Sequence, residues 1–510
     1  MNAAVATTHP SAPSLDAATF RALVEQFNAE DRCPVVNLIP NADAAAWIEA
    51  NCPLFDCPHE QLREIYYFRW WVYRKHLKKT PAGTIVTEFI TPVRHGGPHN
   101  SISCALGLHI AEGRWLRDHS YLDEYVNFWF TAGEDGNANH GTPARKFHNY
   151  SSWLHAAEWD RYCVTGDRTW IIAQLDRFVA DYELWEQEKL ITEGPMKGLF
   201  WQYDVRDGME ESITGSRKHK NARPTISSYM YANAMAIAEI AALAERDDVA
   251  IRFRAKASEL KHLVNDRLWD ASAGFFKAQK DENGLSNARE LIGYVPWCFD
   301  LPSADRDVAW AQLIDENGFW APAGLTTAER RHPMFRSHGV GQCEWDGAVW
   351  PFATSQTLVG LANVLRHHKQ NFVTRQHYLD ALRIYARSHT MYRRPYLGEY
   401  HDEITGHWLK GDHPRSIHYN HSTFADLIIN GLVGLTPRAD GQIEVDPLLP
   451  ADAWPWFLLD RVPYRGRLLT IAWDSDGSRF GRSVGLSVYA DGERVAHSPT
   501  LSRLIEGDAK

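Results

Sequence analysis

From residue 61 to residue 432 the chain repeats one pattern: an apolar-periodic stretch, a short polar break, then another such stretch. Helices are predicted over 61–77, 120–130, 150–164, 169–188, 227–244, 249–269, 355–367, 374–388 and 422–432. The clearest carries Met230, Ala234, Ile237, Ala241 and Ala244 at spacings of three or four, the period of one helix face. After Arg246-Asp247-Asp248 a second helix follows, with Ile251, Phe253, Leu260, Leu263, Val264 and Leu268. At Thr165-Gly166-Asp167 the glycine suits a left-handed position closing one helix and the aspartate an N-cap opening the next. Helix pairs joined this way must bury their apolar stripes on one another, so the expected fold is mainly α, a helical toroid. The small side chains of 234–244 permit close helix–helix approach.

Between the pairs lie long stretches rich in Gly, His, Asn and Trp, at 91–100, 133–149, 199–224, 317–351 and 393–421. Loops this long inside a compact domain are functional or disordered, and these hold too many aromatic residues for disorder. Gathered at one end of a toroid, they would build a pocket. After Gly434 the pattern changes to short β-rich runs, 442–446, 467–473 and 484–489, with a hairpin turn at Ala490-Asp491-Gly492-Glu493. The organisation expected is a leader and helical extension over 1–54, the helical domain over 55–434 and a small β domain over 435–510.

Composition narrows the function. Of 510 residues, 54 are Lys or Arg and 64 Asp or Glu, a net charge of −10, so no basic excess exists to neutralise a nucleic-acid backbone. No apolar run is long enough to span a bilayer. Seven cysteines, at 33, 52, 57, 104, 163, 298 and 343, form no C-x-x-C pair, which speaks against a disulfide framework and for a reducing compartment. Residues 1–15 contain no Lys or Arg and no continuous apolar segment, and read as a disordered leader and not as a secretory signal. The cytoplasm is the expected location. Although there are 24 histidines, no H-E-x-x-H pattern occurs, and neither a catalytic metal nor another cofactor is expected. The 20 Trp, 20 Tyr and 21 Phe are enough to fill a core and also to wall a sugar cleft.

Three clusters could carry chemistry. The first runs Trp201-Gln-Tyr-Asp204-Val-Arg206-Asp207-Gly208-Met209-Glu210-Glu211-Ser212. The second is Glu344-Trp345-Asp346-Gly347-Ala348-Val349-Trp350-Pro351, and the third Glu399-Tyr400-His401-Asp402-Glu403-Ile404-Thr405-Gly406. Two carboxylic acids on opposite sides of a bond suffice to hydrolyse an acetal: one, protonated in an apolar setting, protonates the leaving oxygen, and the other, ionised, activates water. Aromatic neighbours raise the acid's pKa by desolvation. The same charges could instead cap helices or pair with Arg206, Arg393 and Arg394.

Taken together the clusters resemble the inverting glycoside hydrolases with an (α/α)6 toroid, the six-hairpin glycosidases that include trehalases, family 63 α-glucosidases and mannosylglycerate hydrolases. Asp207-Gly208-Met209-Glu210-Glu211-Ser212 is similar to the segment that holds the general acid in the last group, which puts Glu210 at the acid position. Trp345 to Trp350 is similar to a segment lining the sugar site, and Glu399 to Gly406 to the segment carrying the general base, which implies Glu399 in that role. Two departures stand out: the acid position holds Glu where better-known members have Asp, and Asp346 and Ala348 replace Arg and Pro.

The resemblance implies an inverting, exo-acting glycosidase acting on an oligosaccharide or glycoside. Glu210 is the expected acid, Asp207 its pKa modulator or substitute, and Glu399 the base. Trp345, Trp350, Trp201 and Tyr400 are expected as sugar-binding walls, with Asp346 and Gln342 on hydroxyls. Asn100, His421 and Arg223 are further expected contacts. The alternatives are a polysaccharide lyase or unsaturated-uronide hydrolase on the same toroid, and a non-catalytic carbohydrate-binding protein.

Overall fold

The structure is a computed structural model that describes residues 11–131, 148–215, 217–339, 343–481 and 484–507. It is mainly helical, and its helices fall into two kinds. Pro224–Leu243 is apolar nearly all round and buried along most of its length, whereas the neighbouring Asp247–Arg267 buries one stripe, Val249, Phe253, Leu260 and Val264 among it, and turns charge outward. Arg375–Ser388 is likewise amphipathic, burying Tyr378, Leu379, Leu382 and Tyr385, and opens on a capping box between Thr374 and His377.

The mostly buried kind forms a set. Leu106–Gly113, Leu154–Thr165, Pro224–Leu243, Leu291–Phe299, Pro351–His367 and the last helical stretch, Phe424–Asp426 running into Leu427–Val433, all contribute side chains to one cavity of about 390 Å³. In chain order they alternate with Ser120–Thr131, Leu175–Lys189, Asp247–Arg267, Ala304–Gln312 and Arg375–Ser388. Glu60–His76 precedes the series and is buried beneath Ala18–Glu30, which packs on it.

Most predicted helices are present within a few residues. Gly166 is left-handed (φ 70°) and Asp167 accepts a bond from the Trp170 amide at 2.9 Å, as the sequence suggested. The stretch expected as one helix over 169–188 is broken at Gln174 into Arg168–Ala173 and Leu175–Lys189. Ala18–Glu30 lies in the stretch expected as a helical extension, whereas Leu106–Gly113 and the two 3-10 segments Leu291–Phe299 and Ala304–Gln312 were not foreseen. Leu291–Phe299 is apolar throughout and interrupted by Pro296, so it carries no 3.6-residue period.

The helix predicted over 422–432 ends as a π-helix, Leu427–Val433. Gly431 belongs there because a Cβ would fall 1.8 Å from the Tyr378 hydroxyl, which donates to the Leu427 carbonyl at 2.9 Å. Gly431→Ala must push the Tyr378 ring away and is expected to cost about 1–3 kcal/mol, read as a lowered Tm in thermal denaturation.

Beyond Gly434 an antiparallel sheet is built from Trp456–Tyr464, Arg467–Asp474, Gly485–Ala490 and Glu493–Ser498 in order. The turn joining the last two has both central residues left-handed, Asp491 (φ 49°) and Gly492 (φ 87°), as a two-residue hairpin requires. Trp456–Tyr464, the longest strand, was not anticipated. The edge strand is Leu54–Asp56, paired with Leu458–Asp460, so the sheet is completed by chain preceding the helical region. None of the seven cysteines is joined in a disulfide, and no helix of the described residues is long and apolar enough to cross a membrane.

Candidate active site

The three clusters lie in loops that precede buried helices, and the structure ties those loops together. The Trp345 amide reaches the Glu210 carbonyl at 3.4 Å, and Val349 and His401 exchange backbone bonds at 3.0 Å. Trp350 stacks on Trp345 at 4.8 Å and on Tyr400 at 4.9 Å, so the second and third segments share one aromatic column. Four non-glycine residues in this region are left-handed: Glu211, Arg336, Cys343 and Glu344. Each such residue costs of order 1–3 kcal/mol, strain that concentrates where geometry is demanded by function.

Glu210 and Glu399 are treated differently by their surroundings. Burial pushes the Glu210 carboxyl up to about 7. A backbone N–H opposes that rise, and the negative charges of Glu399, Asp204 and Glu88 reinforce it. Glu399 is 4% exposed and accepts from one Arg415 nitrogen on both oxygens, at 2.8 and 2.7 Å, with the Ser416 hydroxyl at 3.4 Å. Burial alone would depress Arg415, but the Glu399 charge overrides it and holds the guanidinium above its ordinary value. The two carboxyls thus feel one another, one prone to hold a proton and the other held by a cation. Neither points outward into bulk solvent.

Asp207 is not placed to stand in for Glu210. It is buried, its Oδ2 accepting from Arg223 Nε at 2.7 Å and from the Thr225 hydroxyl. Arg223 is fully buried by the same pair, with its Nη2 on Met209 Sδ at 3.7 Å, and is a strut inside the wall and not a sugar contact. Asp207→Asn would leave that guanidinium buried without its charge partner, and a loss of about 3–5 kcal/mol is expected, measured as a drop in denaturation midpoint.

Several expected contacts are likewise occupied by the protein. Asn100 is buried and left-handed (φ 62°), a conformation asparagine tolerates. Its amide donates to the Phe89 and Thr91 carbonyls at 2.7 and 3.1 Å and accepts from the Val93 amide at 2.9 Å, stapling the 89–100 loop instead of meeting a ligand. Asp346 has no exposed surface, and its Oδ2 accepts from both the amide (2.9 Å) and Nδ1 (2.8 Å) of His338. The group presented outward is His338, with Nε2 3.9 Å from Glu211. Trp345, Trp350 and Tyr400 are 2% exposed or less, so their column underlies the site and offers no open face. Trp201 is buried against two ammonium groups, Lys189 at 4.1 Å and Lys220 at 4.7 Å from its ring. His421 is buried with Nε2 3.0 Å from Glu88, against Tyr419 at 4.3 Å. Gln342 lies outside the described residues.

Sequence reasoning missed Arg415, which holds Glu399, and Glu88. Glu88 is fully buried, takes the Tyr419 hydroxyl at 2.8 Å and the Cys104 thiol at 3.2 Å, and adds its charge to the field at Glu210. It lies in a four-residue stretch, Val86-Thr-Glu-Phe89, with no motif to mark it. Glu88, Cys104 and His421 are also the one group among the described residues with metal-ligating atoms close together, within 4.8 Å. The carboxylate is already supplied with donors, which accounts for the cluster without an ion.

Comparison with known proteins gives a consistent picture. Residues 98–422 match the family model for the mannosylglycerate hydrolase MGH1-like glycoside hydrolase domain, and residues 437–497 that for the glycosyl hydrolase family 65 C-terminal domain. Among solved structures, a sialidase is 46% identical with TM-score 0.93, over 97% of this chain and 45% of that one. The GH63 mannosylglycerate hydrolase from Thermus thermophilus in complex with glucose is 14% identical with TM-score 0.51, over 71% of this chain and 98% of that one, a likeness of fold. An uncharacterised protein of Borreliella burgdorferi is 22% identical over 224 residues, 41% of this chain and 44% of its own. The matched regions therefore cover less than half of the sialidase and less than half of the Borreliella protein.

Proposed function

Because this chain belongs to the mannosylglycerate hydrolase MGH1-like glycoside hydrolase family, we propose that it is an inverting glycosidase in which Glu210 is the general acid and Glu399 the general base. The observation that carries the reading is the contrast between the two carboxyls: Glu210 is driven by desolvation to about 7, and Glu399 is gripped by Arg415. Glu210 protonates the glycosidic oxygen as the bond to the anomeric carbon breaks. Glu399 takes a proton from the water that attacks the opposite face. That division of labour needs the carboxyls about 6.5–9.5 Å apart, with room for the water.

The fold proposed to carry this chemistry is an (α/α)6 toroid over 55–434, with 435–510 as a small β domain. It is supported by six buried elements converging on one cavity and alternating with a second set along the chain. Where the related segment carries an arginine this chain has Asp346, buried and bonded to His338. The sialidase's name describes a protein more than twice this length and leaves the sugar open.

The deciding experiment is a panel of aryl glycosides and disaccharides, with the first product's anomeric form followed by proton NMR. Release of the sugar with inverted configuration is expected. Retention removes the mechanism, and an unsaturated, ultraviolet-absorbing product indicates a lyase instead.

A further inference from the structure

We propose that the open cavity of about 390 Å³ lined by the six buried elements is a second ligand site, and that it binds an organic ammonium compound, an alkylamine or linear polyamine. It is not the catalytic pocket. Glu210, Glu399 and Asp207 do not line it. Most of the residues that do come from the middles and C-terminal parts of the buried elements, with Trp153 and Thr423 at helix N-caps, whereas the catalytic loops precede the N-termini. Tyr229 lies between the two: it takes a bond from Gln356 of the cavity wall at 2.6 Å, packs on Trp153 at 4.7 Å, and feels the charge of Asp207.

The volume is that of a small-molecule site, at the lower end of the usual range of about 300–1,000 Å³. Its wall is aromatic, with Trp153, Trp159, Tyr231 and Phe299, and its charge is one-sided: Asp160, Glu239, Asp300 and Asp426 face a single guanidinium, Arg114. Arg114 is matched by Asp426 at 2.8 Å, so it does not cancel the rest. Glu239 and Asp300 have only partners at the rim, Arg254 at 3.3 Å and His367 at 2.9 Å, each pair largely in solvent. Asp160 is the open one, with 59% of its side chain exposed and its nearest cation, Arg114, 3.7 Å away.

A further group points to a ligand. The Thr423 hydroxyl is buried in the lining, 1% exposed, with no hydrogen-bond partner. An unmet buried hydroxyl costs roughly 1–3 kcal/mol, which a bound N–H donor would recover. Carboxylates for the ammonium head and indole faces for both charge and alkyl chain are the chemistry that recognises an organic cation.

The test is calorimetric titration of the full chain with spermidine and, as a neutral match in length, 1,8-octanediol, in 0.15 M salt to suppress loose surface association. One saturable site for spermidine is expected, with no heat from the diol. Asp160→Asn with Glu239→Gln should weaken spermidine by about tenfold or more, the loss of a charge-assisted bond, with circular dichroism and Tm unchanged. Asp160→Asn alone serves if the double variant folds poorly. Unsaturable binding, equal binding of the diol, or a variant that titrates like the parent overturns the proposal. None of these readouts depends on glycosidase activity, so they stand or fall separately from the catalytic reading.

Discussion

Glu399→Gln is expected to lower kcat by about 10²–10⁴-fold, the contribution of a positioned general base, with KM nearly unchanged. The amide keeps an oxygen for Arg415 and Ser416, whose bonds to Glu399 hold the side chain in place. It cannot accept the proton of the attacking water. Arg415 is a quarter exposed, so losing its counter-charge does not strand a dry cation, and Tm should move little. Glu399→Ala with added azide sharpens the test, because azide needs no base. The glycosyl azide of inverted configuration should form while hydrolysis stays slow. An unaffected kcat in Glu399→Gln removes Glu399 from the mechanism, and a raised KM with kcat intact would make it a binding residue.

Much of the architecture could be read from residue patterns because buried periodicity and helix ends are local properties. The two amphipathic helices 247–267 and 375–388, the Gly166-Asp167 junction and the Asp491-Gly492 turn all depend on side chains a few positions apart. Two of the elements that escaped lacked a local signal. Leu291–Phe299 is apolar on every side and Pro-interrupted, and Leu54–Asp56 becomes a strand only because Leu458–Asp460 lies beside it.

The site divides along the same line. The segments themselves were legible, since glycine and aromatic residues packed round carboxylates are visible in sequence, but the fate of each carboxylate was not. Asp207, Asp346, Glu344 and Glu403 are consumed by Arg223, His338 and Arg336, and Asp402 accepts from the amides of Ile404 and Thr405 in its own turn. Those partners are long-range or unmarked by any motif, and Arg415 differs from other arginines only in where the loop 413–416 sets it. Pairing in three dimensions separates Glu210, left without a cation among those bonds, from its neighbours.

That separation predicts the pH behaviour. With the Glu210 carboxyl at about 7, kcat/KM should fall as pH rises through neutrality, tending to tenfold per unit, because the acid form is the competent one. Glu210→Gln should abolish this limb. It should also slow alkyl glycosides severely while sparing 2,4-dinitrophenyl glycosides, whose leaving group departs without a proton. Stability moves in the same direction. The folded carboxyl holds its proton more tightly than the unfolded one, from 4.5 up to about 7. Its contribution is therefore fully present below pH 4.5 and lost as pH rises through 7, up to roughly 3 kcal/mol. The Gln variant pays no such penalty, so it should match the parent in Tm near pH 4 and exceed it near pH 8.5, a gain that a bystander carboxylate at the surface would not produce. Asp207 offers no rival explanation, because replacing it disrupts the Arg223 pair and lowers stability at both pH values. An alkaline limb that survives in Glu210→Gln, with dinitrophenyl glycosides slowed as much as alkyl ones, assigns the proton to another group.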